Sequence, residues 1–396
     1  MNYFQHMQVV AALTFLTLLN DIRAASVLLT DGTTLDGEIA AADSGSITIG
    51  KKKINLLALD SIQWMVNADA ASVEEMVVFR NGGRVSGRIL SAGTATKKVK
   101  QQTSWGERTW HLPSVLRLVF DRSPTALELL SADLPVAIHP IEGRSIPGER
   151  VFVRDDLVRA TSLEFGKKDL ERKENSFVSL GGGGRKEFAL GKPYVKVLSQ
   201  NGDIFSGVMV KASDGKLTLK LPFTTFPAST IELPLNGLSR LIVLNGRAKY
   251  LSDLKPESQK NTPYLFGFTS RARPDEAFTG GPLMIGGRMF LKGLATRART
   301  EISYLIDKKY AAFAATVGVD DGINSAGGSV KFQVYAEKVG GKPLFDSGLL
   351  PHDQKQTASV RLDVSNISRL ILVTDWGPKG DIGAHGDWAG ARVVRK

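Results

Sequence analysis

The sequence contains no cysteine and only five histidines among 396 residues. Without cysteine, the chain has no disulfide bond, no thiolate metal site and no cysteine nucleophile. No two histidines form an H-x-x-x-H pair, which is typical of a catalytic zinc site. The lack of cysteine therefore excludes enzymes with a cysteine nucleophile, and the scarcity of histidine argues against a catalytic zinc site.

Long hydrophobic runs are also scarce. The run 9–19 has eleven residues, whereas about 20 are needed to span a bilayer. Small residues follow at Ala24 and Ala25, where a signal peptidase would cleave, although the preceding stretch has no Lys or Arg. We predict that residues 1–25 are a signal peptide and that the protein is exported and becomes periplasmic, cell-surface or secreted. An uncleaved anchor and a misassigned start codon are the alternatives.

The formal net charge is +11, and a basic chain attracts polyanions. The Lys and Arg residues are nevertheless spread thinly, and the short basic runs 51–54 and 96–101 lack the interleaved aromatic side chains of a single-strand binder. We therefore predict no specific nucleic-acid partner.

One short motif occurs three times: "DGTTLDG" (31–37), "NGGRVSG" (81–87) and "NGDIFSG" (201–207). Asn-Gly or Asp-Gly favours a tight turn between antiparallel strands, and the second glycine permits a bend in the next strand. The pattern predicts small β-barrels at 26–70, 75–122 and 193–246, and it resembles Sm-like (SH3-like) barrels. Residues 123–192 are either a degenerate repeat or an insertion. Such barrels have many functions, so the fold alone predicts none.

The pattern changes at about residue 250, where longer alternating strands begin. In "VKFQVYAE" (330–337), apolar residues alternate with polar ones, as expected for a half-buried strand of a β-sandwich. The sequence therefore predicts an all-β protein in which tandem small barrels precede a jelly-roll β-sandwich at 250–396.

Five segments of this last third resemble, in order, the NPCBM domain of glycosyl hydrolase family 98. They are "LKGLATRARTEISYLI" (291–306), "YAAFAATVGVDDGINSAGGSVKFQVYAE" (310–337), "LFDSGLL" (344–350), "ISRLILVTDWG" (367–377) and "HGDWAGARV" (385–393). The resemblance covers about 250–396 and implies a galactose-binding-like jelly roll that binds galactose-containing glycans near a calcium ion. The chain departs from the family pattern at Arg297 and Arg299, near a usual histidine, and at Ala384, where an aspartate is usual.

The candidate carbohydrate-binding residues are Asp375, Trp376, His385, Asp387 and Trp388. Carboxylates and imidazoles hydrogen-bond sugar hydroxyls, and an indole stacks on a pyranose ring. Asp320 and Asp321 supply the hard oxygen ligands that suit calcium, although "VDDG" is also a typical turn sequence. Trp388 has a second interpretation as a core residue, because indoles are usually buried.

A carboxylate pair can also hydrolyse glycosides, but the chain offers no catalytic barrel to accompany these residues. We therefore predict a non-enzymatic, exported protein whose partner is a glycan or polysaccharide. An envelope scaffold that uses the same modules for protein contacts is the alternative, as is an accessory subunit of a glycoside hydrolase.

Overall fold

The computed structural model describes residues 25–64, 75–121, 133–164, 166–181, 192–222, 229–264, 270–323, 328–352 and 354–396. All regular structure in these ranges is β-strand or short 3₁₀ turn, which confirms the predicted all-β class. The described chain forms two compact units, one of residues 25–121 and 133–246 and the other of residues 247–396. The predicted signal peptide lies outside the described residues, except for Ala25.

The first unit consists of short antiparallel strands. They are β1 (Ala25–Leu29), β2 (Thr34–Gly37), β3 (Ile39–Ala42), β4 (Ser46–Ile49), β5 (Lys52–Asn55), β6 (Leu59–Trp64), β7 (Met76–Phe79), β8 (Arg84–Ser86), β9 (Arg88–Gly93), β10 (Lys98–Thr103), β11 (Gly106–His111), β12 (Val115–Val119), β13 (Val136–Pro140), β14 (Ile146–Pro147), β15 (Arg150–Arg154), β16 (Leu157–Ser162), β17 (Gly166–Glu171), β18 (Asn175–Leu180), β19 (Tyr194–Ser199), β20 (Ile204–Ser213), β21 (Lys216–Leu221), β22 (Ser229–Pro234) and β23 (Leu238–Leu244). Four 3₁₀ turns, Leu56–Ala58, Leu112–Ser114, Arg172–Glu174 and Leu235–Gly237, precede β6, β12, β18 and β23.

This unit contains four copies of one arrangement: the first copy (25–64), the second (76–119), the third (136–180) and the fourth (194–244). Each copy begins with a hairpin and ends with a 3₁₀ turn and a last strand. That last strand pairs antiparallel with the first strand of the same copy, as β1–β6, β7–β12, β13–β18 and β19–β23. The third copy, at 136–180, thus repeats this arrangement within the segment 123–192.

Both glycines of the motif have a steric role. The turn glycines Gly32, Gly82, Gly143 and Gly202 have φ values of 96°, 77°, 103° and 86°, a region that favours glycine. At the second glycine the neighbouring strand passes very close. A Cβ atom on Gly87 would lie 2.1 Å from the Gln102 carbonyl oxygen, and one on Gly207 would lie 2.6 Å from that of Lys220. The motif therefore fixes both the turn and the bend of each copy.

The copies pair edge to edge, which the repeat pattern alone does not reveal. The last strands β6 and β23 join the first and fourth copies, with Ile62 opposite Leu241. The last strands β12 and β18 join the second and third copies, with Leu118 opposite Val178. These four residues occupy equivalent positions, so each pair of copies has local two-fold symmetry. The buried side chains of all four copies form one continuous hydrophobic cluster.

The second unit is a β-sandwich, as predicted. Its strands are β24 (Ala248–Tyr250), β25 (Ser258–Asn261), β26 (Arg273–Pro274), β27 (Leu283–Ile285), β28 (Arg288–Phe290), β29 (Gly293–Arg297), β30 (Thr300–Leu305), β31 (Tyr310–Val319), β32 (Ser329–Ala336), β33 (Phe345–Pro351), β34 (Thr357–Asp363), β35 (Arg369–Trp376) and β36 (His385–Arg395). One sheet has the order β26-β29-β36-β31-β34, with β24 also paired to β36, and the other has the order β25-β30-β35-β32-β33. β27 and β28 form a separate hairpin.

The core lies between these two sheets. Phe313 and Trp388 come from the first sheet, and Phe332 and Leu372 come from the second. Phe332 meets the Trp388 indole edge to face at 5.1 Å between ring centroids. The alternation predicted in 330–337 holds for 330–334, where Val330, Phe332 and Val334 have no exposed surface, but Tyr335 on the other face is buried as well.

Candidate functional site

The candidate residues lie in two groups, one on each sheet of the sandwich. Asp320 and Asp321 follow β31, while His385, Asp387 and Trp388 begin β36, which pairs with β31. Asp375 and Trp376 end β35 in the other sheet. Only Asp320, Asp387 and Trp388 of the first group are deeply buried; the other four candidates are partly exposed.

Trp388 belongs to the core. Its side chain has no exposed surface and its Nε1 donates a hydrogen bond to Thr374 Oγ1 at 2.9 Å. β36 is central in its sheet, with Leu294 of β29 and Val317 of β31 on either side of Trp388. An indole without an exposed face cannot stack on a sugar, so the assignment of Trp388 as a carbohydrate-binding residue is wrong and its core interpretation is correct.

Asp387 and Asp320 form a buried carboxyl pair. Their relative exposures are 1% and 2%, and the charge of Asp320 acts on Asp387. Burial first, and then the charge of Asp320, raises the pKa of Asp387 well above its usual range. Burial likewise raises the pKa of Asp320. A carboxyl this deeply buried has no surface for a sugar, so Asp387 is also wrong as a carbohydrate-binding residue.

The chemistry of this carboxyl pair fits a cation. Neither oxygen of Asp387 has a hydrogen-bond partner among the described residues, and Asp320 Oδ2 has none either. Calcium prefers hard oxygen ligands of this kind. Asp321 is engaged elsewhere, because its Oδ2 accepts a hydrogen bond from the Gly287 N–H at 2.7 Å. Within the described ranges, no cluster of three or more His, Asp or Glu side chains is placed to hold a metal.

His385 lies beside this pair and is half-buried. Burial, and to a smaller extent the charge of Arg297, lowers the pKa of His385 to about 4, so its imidazole is neutral at pH 7. Its ring meets Phe278 edge to face at 5.5 Å between centroids. Arg297 and Arg273 stack on the same phenyl ring, with their Cζ atoms 4.8 and 5.1 Å from its centroid. Arg297, a departure from the family pattern, therefore packs against an aromatic ring.

Asp375 and Trp376 are more accessible than Asp320, Asp387 and Trp388. Asp375 Oδ2 lies 3.5 Å from Arg299 Nη1, and Arg299 Nη2 lies 3.0 Å from Glu301 Oε1. These three side chains are only partly buried. Arg299, the second departure from the family pattern, thus forms a link between two carboxylates at the surface.

An aromatic residue that the sequence analysis missed completes this group. Tyr264 is 49% exposed, and its ring meets the half-buried Trp376 indole edge to face at 5.3 Å. Gly380 packs against the Tyr264 ring, since a Cβ there would come within 2.7 Å of it. Tyr264, Trp376, Arg299, Glu301 and Asp375 are named the Tyr264 surface below. Ala384, the third departure, lies in the core and is 1% exposed.

The fold and site of the second unit are those of a β-sandwich with an accessible aromatic and charged surface near one strand end. Residues 247–394 match the family model of the NPCBM/NEW2 domain, which confirms the resemblance predicted for 250–396. That match covers the second unit and leaves the four copies of the first unit unassigned. Among the residues that the structure describes, no helix is long and apolar enough to cross a membrane.

A curated relative from Renibacterium salmoninarum, "Putative endo-alpha-N-acetylgalactosaminidase", is 30% identical over 116 residues, which is 29% of this chain and 7% of the relative. The chain thus corresponds to a small part of that protein. Among solved structures, the CBM51 module from Clostridium perfringens GH95 in complex with methyl-galactose is 26% identical, with a TM-score of 0.33; the match covers 37% of this chain and 99% of that one. The tandem CBM51 modules of a family 98 glycoside hydrolase from Streptococcus pneumoniae SP3-BS71 are 14% identical, with a TM-score of 0.30, and cover 94% of this chain and 88% of that one.

Proposed function

We propose that the second unit binds a carbohydrate at the Tyr264 surface and that the protein acts by binding rather than catalysis. The observation that carries this proposal is the half-exposed Tyr264 ring against the Trp376 indole, at the strand end where the neighbouring residue Asp375 joins the Arg299–Glu301 ion-pair cluster. An aromatic ring can pack on the apolar face of a pyranose, while the charged groups hydrogen-bond its hydroxyls. The NPCBM/NEW2 match to this unit and the glycosidase name of the curated relative support a glycan as the ligand.

We further propose that Asp320 and Asp387 hold a calcium ion. A bound ion would neutralise two buried carboxylates that otherwise compete for a proton, so its role at this place is to stabilise the sandwich. Because both carboxylates are buried, the ion's contribution to sugar affinity is indirect.

Export is consistent with this proposal, because a protein that binds an extracellular glycan must leave the cytoplasm. The predicted signal peptide supports it, and the mature N-terminus is then expected near Ser26. The four copies of the first unit support the alternative of an envelope scaffold with protein partners, because repeated small barrels can present several contact surfaces.

A glycan array probed with the full chain, with and without calcium, tests the carbohydrate proposal. The site is open, so we expect dissociation constants of about 0.1 to 1 mM for a single sugar unit. Tyr264→Ala is expected to weaken binding at least about tenfold, since it removes the stacking ring. Phe152→Ala is the matched control, because Phe152 is 39% exposed in the first unit. Binding to no glycan, or equal loss in both variants, would rule the proposal out.

A further inference from the structure

The third copy has a cavity beside its first hairpin. The cavity has a volume of about 530 Å³, and Ile141, Arg144, Ile146 and Glu174 are among the residues that line it. Ile141 is 54% exposed, which is unusual for a large aliphatic side chain. An apolar pocket with a charged rim at this place suggests a surface that another chain covers.

The fourth copy shows what occupies the equivalent place. There, Trp105 from the β10–β11 turn of the second copy meets Phe205 edge to face at 6.2 Å. The indole Nε1 donates a hydrogen bond to Asp203 Oδ2 at 2.7 Å. A Cβ on Gly237 would lie 3.6 Å from the same indole. A hairpin tip of one copy therefore fills the groove of another.

The two grooves are equivalent position by position. Phe205 pairs with Val197 in the fourth copy as Ile146 pairs with Ile138 in the third. The Gln200 N–H donates to the Gly237 carbonyl, and the Ile141 N–H donates likewise to that of Glu174. The three residues that contact Trp105, namely Asp203, Phe205 and Gly237, thus correspond to Arg144, Ile146 and Glu174, all of which line the cavity of the third copy.

The contact between the second and fourth copies places equivalent residues opposite each other at one bridge. Arg84 pairs with Ile204, and these residues occupy the same position in their copies. A two-fold contact of this kind uses the same patch on both sides, so two identical copies can form it as well. In the third copy the equivalent residue is Ser145, which is exposed.

The third copy has a hairpin tip suited to such a contact. Leu163 and Glu164 are the described residues of the β16–β17 turn, and Leu163 is 91% exposed; residue 165, which precedes Gly166 as Trp105 precedes Gly106, lies outside the described residues. Gly106 and Gly166, which end the two tips, both have positive φ values, of 92° and 66°. Glu164 on the tip is opposite in charge to Arg144 on the groove, and both are exposed. In the first copy the corresponding turn consists of Gly50 and Lys51 and offers no apolar side chain.

We infer that the protein forms a two-fold homodimer through its third copies, in which the tip of each chain enters the groove of the other. The occupant of the cavity is thus a second copy of this chain, whose hairpin tip enters the groove of the third copy as the tip of the second copy enters that of the fourth. Each dimer contact consists of one tip and one groove per chain, a small area, so the association is weak. We expect a dissociation constant of about 1 to 100 μM.

Sedimentation equilibrium of the full chain tests the inference. Leu163→Asp is expected to raise the dimer dissociation constant at least about tenfold, because it places a charge in an apolar groove. Leu57→Asp is the matched control, since Leu57 is an exposed leucine of the first copy. A chain that stays monomeric up to about 1 mM, or an equal effect of Leu57→Asp, would overturn the proposal.

A charge exchange gives a second, independent readout. Arg144→Glu and Glu164→Arg should each weaken self-association at least about tenfold. In a dimer of either variant, residues 144 and 164 carry the same charge and face each other at both contacts. An equimolar mixture restores both opposite-charge pairs, so its association should return to within about threefold of the wild type. Two folded variants whose mixture stays as weak as either alone would contradict the tip-and-groove arrangement. Melting temperatures of both variants show that they are folded.

Discussion

The second unit contains two Asp-Trp pairs that look alike in sequence and differ in the structure. Asp387 and Trp388 lie on β36, which has neighbours on both sides, and neither has appreciable exposed surface. Asp375 and Trp376 lie at the end of β35 and remain partly exposed. β35 also has neighbours on both sides, so position along the strand, rather than residue type, decides which pair serves stability and which can meet a ligand.

The comparison is tested most strongly by removing each indole. Trp388→Ala is expected to lower the free energy of unfolding by about 3–5 kcal/mol, because it leaves a cavity between the sheets and deprives Thr374 Oγ1 of its donor. Trp376→Ala should cost about 1–2 kcal/mol, since that ring is only half-buried. Denaturant unfolding of both variants measures the difference, and equal losses would contradict the contrast.

Acidification is the second test, and comparing the wild type with a His385 variant isolates the contribution of that side chain. The pKa of His385 is lowered to about 4 in the fold, against about 6.5 when unfolded, so the unfolded chain binds the proton more readily. Stability supplied by the neutral imidazole is present above pH 6.5 and is lost as the pH falls towards 4. The loss approaches about 3 kcal/mol. His385→Gln should flatten this dependence, whereas an unchanged slope would show that other groups cause it.

Asp387 is expected to respond to pH in the opposite direction. Its pKa is raised in the fold, so the stability that its protonated form supplies is present below the unfolded pKa of about 3.9 and is lost as the pH rises through the folded pKa. Without calcium, Asp387→Asn should therefore stabilise the protein at pH 7, by about 1.4 kcal/mol for each unit of pKa difference.

Calcium binding also distinguishes Asp387 from Asp375. Millimolar calcium should raise the melting temperature of the wild type and not that of Asp387→Asn, because the variant lacks a charged ligand. Asp375→Asn is the matched control and should keep the calcium response. A wild type whose melting temperature is unaffected by calcium would refute the calcium proposal. The carboxyl pair would then affect stability only through its protonation.

The smallest effect on stability is expected at the exposed pair. Asp375→Asn should change the free energy of unfolding by no more than about 1 kcal/mol, because its ion pair with Arg299 is partly solvated. Sugar affinity should nevertheless fall about tenfold, as expected for a lost charge-assisted hydrogen bond. Titration of the glycan into both proteins by calorimetry measures this, and an unchanged affinity would place the sugar elsewhere.

Much of the fold could be predicted because its signals are local. Glycines five residues apart specify a turn and a bend, and alternation in 330–337 specifies a half-buried strand. The third copy was left uncertain because Glu142 and Pro147 replace the usual turn and strand residues, although Gly143 and Gly148 keep the spacing. In the third copy the motif therefore keeps only its two glycines, which the turn and the bend of the backbone require.

The site was harder to predict, because its neighbours are brought together by strand pairing. Asp320 meets Asp387 only because β31 and β36 are adjacent, with Gly318 opposite Asp387. Tyr264 lies in a stretch without strand pattern, and nothing local indicates that it reaches Trp376. Contacts of this kind depend on tertiary structure, which one sequence does not encode in any short motif.

The pairing of last strands in the first unit also constrains how such a chain can change in length. Each copy offers one last-strand edge, and that edge is satisfied by exactly one other copy. A chain with one copy fewer would leave an unpaired strand edge open to aggregation, whereas loss or gain of a complete pair would leave none. Genetic duplication and deletion in this architecture should therefore be tolerated in steps of two.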